Sequence, residues 1–275
     1  MKDWFPFAVL LGIIAIALFG GAKNSSFVLL QPPQNTGNTQ YQNGQTTTPD
    51  PNISTLKDNV DFQLMSYSNN PDQEYIAIDA SSNNTNPINI TGWKIKNSIT
   101  NFTVTIPRST YLYISGDTNP EQDVVLKPGE RAYIITGKSP IGFGMHLNIC
   151  SGYLSQFNNF NPGVYTSCPT PRNEASTTIP RSPVNNNCLD LVDSTSACTT
   201  RTTALNNSYS GSCQQLFSNT LTYQGCVNAH QRDADFYSPK YWYVYLKRSE
   251  SLWNISRSTI TLYDSYGKII KTINR

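Results

Sequence analysis

The alternating stretch at residues 90–97 constrains the fold more than any other part of the chain. Its sequence is Ile-Thr-Gly-Trp-Lys-Ile-Lys-Asn, so Trp93 and Ile95 point to one face of an extended chain and the two lysines point to the other. A period of two, apolar on one face and charged on the other, is typical of an antiparallel strand that packs on one side only. The core is therefore predicted to be a β-sandwich.

Further short strands are predicted on both sides of this stretch. Turn formers separate them, as at residues 127–130, where Lys-Pro-Gly-Glu places Pro and Gly at the two central positions of a tight turn. Many short strands separated by turns favour a sandwich over an α/β fold. The predicted strands are residues 60–65, 74–80, 102–106, 124–126, 131–136 and 241–246, followed by a hairpin of residues 258–263 and 268–273.

Tyrosines alternate with apolar residues in the strand at 241–246, Tyr-Trp-Tyr-Val-Tyr-Leu. Trp242, Val244 and Leu246 are predicted to point inward and the tyrosines outward. Tyrosine is enriched at interfaces and in sugar contacts, so an outward row is one candidate for a contact surface. Pairing of the tyrosines with their cross-strand neighbours is the favoured interpretation.

Several short motifs follow one another in a characteristic order. They are Glu-Tyr-Ile at 74–76, Ile-Thr-Gly-Trp at 90–93, Ile-Pro at 106–107, Leu-Lys-Pro-Gly-Glu at 126–130, Leu-Trp at 252–253 and Ile-Thr-Leu-Tyr-Asp-Ser-Tyr-Gly-Lys-Ile-Ile at 260–270. In this order they resemble the lamin tail domain, over roughly residues 60–138 and 241–275. The resemblance implies an immunoglobulin-like sandwich. That family includes nuclear lamins and many bacterial secreted or surface proteins, so the resemblance bears on fold more than on function.

The folded domain is predicted to span residues 59–275 and to be interrupted by an insertion at 139–239. The insertion resembles the cysteine-containing insertion of some bacterial members of the family. Six residues are expected to be structural core positions of the sandwich: Trp93, Ile95, Pro107, Gly129, Trp242 and Trp253.

Residues 1–22 are predicted to be a signal peptide or a membrane anchor helix. Residues 4–22 carry no charge and would form a helix about 28 Å long at roughly 1.5 Å per residue, close to the hydrocarbon thickness of a bilayer. The small residues Gly-Gly-Ala at 20–22 suit signal peptidase, whereas an uncut segment would anchor the protein. Secretion and membrane anchoring facing outside both remain open. Residues 23–58, rich in Gln, Asn, Thr and Pro, predict a disordered linker.

All six cysteines lie in the predicted insertion, and an even number behind an export signal predicts three disulfides. They are Cys150, Cys168, Cys188, Cys198, Cys213 and Cys226. No Cys-x-x-Cys pair occurs, which argues against a zinc site because zinc usually draws two ligands from one tight turn.

Geometry narrows the pairing. Residues 189–192 and 214–227 resemble helices, and cysteines three or four turns apart on one helix are too distant to bond. Antiparallel packing of two such helices pairs Cys188 with Cys226 and Cys198 with Cys213, which leaves Cys150 for Cys168. Sequential pairing of 188 with 198 and of 213 with 226 is the alternative if the segments are not continuous helices.

Few residues in the chain suit catalysis, since it has only two histidines. His230, with Asp233 and Asp235 close by, could form a metal site of a hydrolase, although His at a helix end followed by acidic residues more often caps helices. His146 lies in a Gly-rich stretch without an acidic neighbour in sequence, and a solvated or core role is expected. No P-loop, nucleophile elbow or dinucleotide fingerprint occurs, so no cofactor is predicted.

The chain is expected to be a non-catalytic exported cell-surface or envelope module that binds or anchors to a protein or glycan partner. A net charge of +2 over 275 residues gives no concentrated basic face, so nucleic-acid binding, suggested only by the lamin members and the basic carboxyl end, is the weakest alternative. If residues 4–22 are not cleaved, the membrane is a second partner. The binding surface is expected where the insertion meets the sandwich.

Overall fold

The computed structural model describes residues 50–275, and the predicted leader and most of the predicted linker lie outside them. The fold is mainly β, with several sheets, three disulfides and a few helices, as predicted. The strands are β1 (Val60–Ser66), β2 (Tyr75–Ala80), β3 (Ile88–Asn89), β4 (Lys94–Asn97), β5 (Thr103–Thr105), β6 (Ser109–Thr110), β7 (Glu121–Gln122), β8 (Val125–Leu126), β9 (Arg131–Ile135), β10 (Met145–His146), β11 (Tyr241–Tyr245), β12 (Thr259–Tyr263) and β13 (Ile269–Asn274).

Helices occur between β10 and β11. They are α1 (Gly152–Ser155), α2 (Pro171–Thr178), α3 (Asn186–Ser194), α4 (Gly211–Gln215) and α5 (Tyr223–His230), with a π-helical turn at Leu216–Thr220 and a 3-10 turn at Pro183–Asn185. Another 3-10 turn, Pro71–Gln73, lies between β1 and β2. Within residues 50–275 no helix combines the length and the apolar character needed to cross a membrane.

Two multi-stranded sheets share the first apolar core, to which the two-stranded β3–β8 sheet adds Ile88 and Leu126. The larger sheet has the strand order β1-β2-β9-β11-β10-β6-β7, and the smaller has the order β13-β12-β4-β5. The alternation read from the sequence places Ile95 and Leu262 of the smaller sheet and Trp242 and Val244 of the larger one in this core. In the larger sheet β9 and β11 are parallel neighbours, and a parallel pair needs a long crossover connection. The insertion is that connection.

Four of the six expected core positions, Trp93, Ile95, Trp242 and Trp253, are buried, but the other two differ. Pro107 is only partly buried, and Gly129 is exposed, so its assignment to the core was wrong. Gly129 has φ +77° in a tight turn that the Glu130 N–H closes by donating to the Lys127 carbonyl oxygen at 2.9 Å. Glycine is required there by backbone conformation and not by packing.

Two motifs that lie far apart in the sequence meet at Glu74. Its fully buried carboxylate accepts the backbone N–H of Leu252 at 2.6 Å and that of Trp253 at 2.7 Å. Burial raises the pKa of Glu74, and the two backbone donors oppose that rise because they favour the charged form. These bonds fix the segment that places the Trp253 ring in the first core.

The outer face of the larger sheet carries a second core. Tyr243 and Tyr245 point away from the first core, as predicted, but the insertion covers them and they are buried. Tyr241, at the other end of β11, is 39% exposed. The tyrosine rings also pair across strands. The centroid of the Tyr133 ring in β9 lies 5.9 Å from that of Tyr241 and 5.4 Å from that of Tyr243. Most of the predicted outward row is therefore an internal contact.

The end of the predicted linker is part of the domain. Ile53 pairs with Ile269 of β13, and the Ser54 N–H donates to the Ile269 carbonyl oxygen at 2.8 Å. Ser54 is buried and Leu56 packs against the first core. The linker prediction was wrong for residues 50–58, because their apolar side chains and backbone bonds attach them to the domain.

The disulfides join Cys150 to Cys226, Cys168 to Cys198 and Cys188 to Cys213. The prediction of three bonds is confirmed, but every predicted pair, in both schemes, was wrong. The two helices expected to be continuous are interrupted. α3 ends at Ser194, so Cys198 lies beyond the helix and takes a left-handed conformation with φ +59°. The second segment breaks before α5, which carries Cys226 to the sheet while Cys213 stays near α3 in a third apolar cluster.

Replacing Cys150 and Cys226 together by Ala is expected to lower the free energy of unfolding by about 2–5 kcal/mol. The bond attaches α5 to the segment that follows β10, and this part of the insertion covers Tyr243 and Tyr245 of β11. Loss of the bond is therefore expected to loosen the packing over these two tyrosines. Chemical denaturation followed by near-ultraviolet circular dichroism measures the loss, and hydrogen exchange reports the protection of the β11 amides.

The matched control replaces Cys188 and Cys213 by Ala. This bond lies in the third cluster, away from the sheet, so the β11 amides are expected to keep their protection. Equal loss of β11 protection in the two variants would contradict the role given to the Cys150–Cys226 bond.

Candidate binding cleft between the insertion and the sheet

The residues proposed for a metal site do not converge. His230, the last residue of α5, has its Nδ1 2.7 Å from Asp233 Oδ2 and its Nε2 2.9 Å from Glu174 Oε1 of α2. Both ring nitrogens are thus engaged by carboxylates, and Asp235 takes no part. In the described part of the chain, no group of three or more His, Cys, Asp or Glu residues is arranged to hold an ion. His230 links α2 to the end of α5.

His146 is a core residue. Its Nδ1 lies 2.7 Å from the Leu147 carbonyl oxygen, and its Nε2 lies 3.4 Å from Glu130 Oε1. The rings of Tyr111 and Trp242 are within 5.2 and 4.8 Å of the imidazole, between centroids. The acidic neighbour that the sequence did not indicate comes from the turn before β9. Burial raises the pKa of Glu130, but His146 and the Lys127 N–H outweigh it, and the pKa lies below its usual value.

A cleft of about 420 Å³ opens where the insertion meets the loops of the larger sheet. This volume lies within the range of about 300–1,000 Å³ typical of small-molecule sites. We call it the boundary cleft. Its residues come from the loop after β6, the loop before β10, α1 and the residues after it, the loop after α3, and the start of α5. They are Tyr113, Ser115, Ile141, Tyr153, Leu154, Phe157, Asn158, Thr200, Thr222, Tyr223 and Gln224.

Aromatic rings form much of the wall of the boundary cleft. Tyr223 is buried and its hydroxyl donates to the Tyr113 carbonyl oxygen at 2.7 Å, which ties α5 to the loop after β6. The Tyr113 and Tyr223 rings lie 5.7 Å apart between centroids. Phe157, just after α1, is 58% exposed and presents its ring to the solvent.

Polar groups in the boundary cleft are uncharged hydroxyls and amides. Thr222 caps α5 through its hydroxyl, which accepts the Gly225 N–H at 3.0 Å. Asn158 donates from Nδ2 to the Leu154 carbonyl oxygen at 2.9 Å, so its amide orientation is set by α1. Burial raises the pKa of Tyr153 to about 12, with a further rise from Glu174. The phenol therefore stays neutral at physiological pH.

Sequence reasoning placed the binding surface at this boundary but identified none of the residues in the cleft. They are scattered from position 113 to position 224, and only the packing of α1 and α5 onto the loops of the sheet brings them together. The one available signal was the density of Tyr, Phe, Asn and Thr in the insertion. No protein-family model matches the sequence, and a search of curated proteins finds no significant match.

Folding stability is expected to fall as the pH rises through the folded-state pKa of His230. Burial acts to lower this pKa, but hydrogen bonds and attraction from Asp233 and Glu174 outweigh it, so the pKa lies above the usual 6.5. Below pH 6.5 the ring is charged in both states and the two contacts contribute fully; the contribution is lost as the folded-state pKa is passed. Its size is below about 1 kcal/mol because the site is partly exposed.

Urea denaturation of the wild type and of His230→Gln from about pH 6 to pH 8 measures this effect. Gln keeps a polar side chain but does not titrate, so the variant is expected to lose the decline. Identical pH dependence in the two proteins would contradict the assignment.

Proposed function

We propose that this protein is a non-catalytic exported module that recognises a neutral glycan through the boundary cleft. In this proposal the two-sheet core is an immunoglobulin-like sandwich of the lamin-tail type, and the insertion supplies the recognition surface. The observation that carries the proposal is the composition of the cleft, which combines aromatic rings, from the exposed Phe157 to the buried Tyr153 and Tyr223, with hydroxyl and amide groups.

The chemistry of the cleft favours a sugar over a charged ligand. Sugars present apolar C–H faces that pack on aromatic rings and hydroxyls that bond to neutral polar groups, and Tyr has both properties. No Asp, Glu, Lys, Arg or His lines the boundary cleft, so it offers no ion-pairing partner. Its titratable groups are tyrosine phenols, and burial raises the pKa of Tyr153 and of Tyr223, so both stay protonated at physiological pH. Binding without catalysis is therefore the function that fits its lining.

Three disulfides support an extracellular location, since such bonds form and persist in oxidising compartments. A secreted protein and one held at the membrane by residues 4–22 are both compatible with this proposal. The contact of Glu74 with the Leu252–Trp253 backbone supports the proposed kinship, because it joins two motifs of the resemblance inside one core. A hydrolase centred on His230, Asp233 and Asp235 has no such support.

Binding of neutral oligosaccharides to the oxidised full chain, first on a glycan array and then by calorimetry, tests the proposal. Phe157→Ala is expected to weaken the binding of an array ligand about tenfold, because it removes a stacking surface worth roughly 1.5 kcal/mol. Phe157 is largely exposed, so the substitution leaves the fold intact.

Phe102→Ala is the matched control, because Phe102 is 46% exposed and lies outside the boundary cleft, beside β5. Its affinity is expected to equal that of the wild type. A wild-type protein that binds no neutral glycan, or binds only a protein partner, would overturn the proposal. So would equal effects of the two substitutions.

A further inference from the structure

A second cavity lies between the larger sheet and the insertion loop that contains Gly163 and Tyr165. Its volume is about 120 Å³, several times the roughly 10–15 Å³ that a single water needs. Four tyrosines line it, Tyr133, Tyr165, Tyr241 and Tyr243, together with Leu147 and Gly163. We call it the tyrosine cage.

The sheet and one insertion loop together build the tyrosine cage. The rings of Tyr133 and Tyr241 are nearly parallel, with an interplanar angle of 9°, and the Tyr243 ring meets Tyr133 edge to face at 71°. The Tyr243 hydroxyl donates to the Gly163 carbonyl oxygen at 3.0 Å, which fixes the loop over the sheet. Two faces of the cage are thus set by the pleat of β9 and β11.

Tyr165 forms the outer wall, and its ring lies close to Gly163. A Cβ at residue 163 would lie 2.8 Å from both Cζ and the hydroxyl oxygen of Tyr165, closer than packed atoms allow. Tyr165 is 89% exposed, so its ring contacts the loop at Gly163 and otherwise faces the solvent. An exposed ring in this place has no evident role in folding.

Positive charge adjoins the tyrosine cage on one side. A neighbouring cavity shares Tyr241 and is lined by Asp79, Arg131 and Lys240. Arg131 pairs with Asp79, and its Cζ lies 5.7 Å from the centroid of the Tyr133 ring. Asp79 offsets Arg131, so the exposed Lys240 leaves an excess of one positive charge among these side chains.

We propose that the tyrosine cage and the adjoining cavity together bind a phosphocholine-type zwitterion. The faces of tyrosine rings attract quaternary ammonium groups, and a trimethylammonium group has the few heavy atoms that such a cavity accommodates. Because Arg131 already lies over the Tyr133 ring, the ammonium group would contact the rings of Tyr165, Tyr241 and Tyr243. The phosphate would extend past Tyr241 towards Lys240. A simple organic cation fits less well because the neighbouring positive charge repels it, and a simple anion has no partner among the rings.

Calorimetric titration of the oxidised full chain with phosphocholine, choline and inorganic phosphate tests this site. Phosphocholine is expected to bind more tightly than either half alone. Tyr165→Ala is expected to weaken phosphocholine binding about fivefold, whereas Tyr165→Phe, which keeps the ring face, stays within about twofold of the wild type. Lys240→Ala is expected to weaken the binding of phosphocholine and not that of choline.

Matched controls are Tyr266→Ala, because Tyr266 is 88% exposed in the last hairpin turn, and Lys94→Ala on the smaller sheet. Both are expected to bind phosphocholine as the wild type does. Failure of phosphocholine to bind at millimolar concentration overturns the inference, as does an equal effect of the Tyr165 and Tyr266 substitutions. If choline binds as tightly as phosphocholine, the inference that the ligand is a zwitterion is overturned.

Phosphocholine on a lipid and phosphocholine on a soluble carrier share this chemistry. Phosphatidylcholine vesicles and a phosphocholine-conjugated carrier protein, compared in a pull-down assay, distinguish them. The site is supported if either one captures the protein and if Tyr165→Ala, but not Tyr266→Ala, reduces that capture. The one that captures it identifies the source of the headgroup. Capture by neither overturns the inference for presented headgroups.

Discussion

The larger sheet is apolar on both faces at β9 and β11, and the rest of the fold depends on covering both. Trp242 and Val244 fill the core shared with the smaller sheet, while Tyr243 and Tyr245 need a cover on the other side. The insertion provides that cover, and it is also the long crossover that the parallel pairing of β9 with β11 requires. It therefore has a structural role, in addition to any part in binding.

The Cys150–Cys226 bond decides how the insertion sits on the sheet. It attaches α5 beside the end of β10, and α5 then carries Tyr223 to the loop that contains Tyr113. The boundary cleft results from this placement. The loop that contains Gly163 contacts another part of the same face of the larger sheet, through Tyr243. Both proposed binding sites therefore depend on how the insertion packs on this face.

Local sequence patterns predicted the strands and the apolar side of each, because a period of two fixes which residues share a face. They could not show whether the outer face of β11 meets water or protein, since Tyr suits both. The disulfide pairs were wrong because the helix ends earlier than predicted: α3 stops at Ser194, four residues before Cys198, and Cys198 then bonds to Cys168. The boundary cleft was not predictable, since Tyr113, Phe157 and Tyr223 meet only after the insertion docks.

The most direct test of this account is a disulfide map of the oxidised protein, obtained by mass spectrometry of peptides prepared in acid without reductant. The expected peptides join Cys150 to Cys226, Cys168 to Cys198 and Cys188 to Cys213. A bond between Cys150 and Cys168 would release α5 from the sheet. That result would contradict the docking of the insertion on the tyrosine face and remove the basis for both sites.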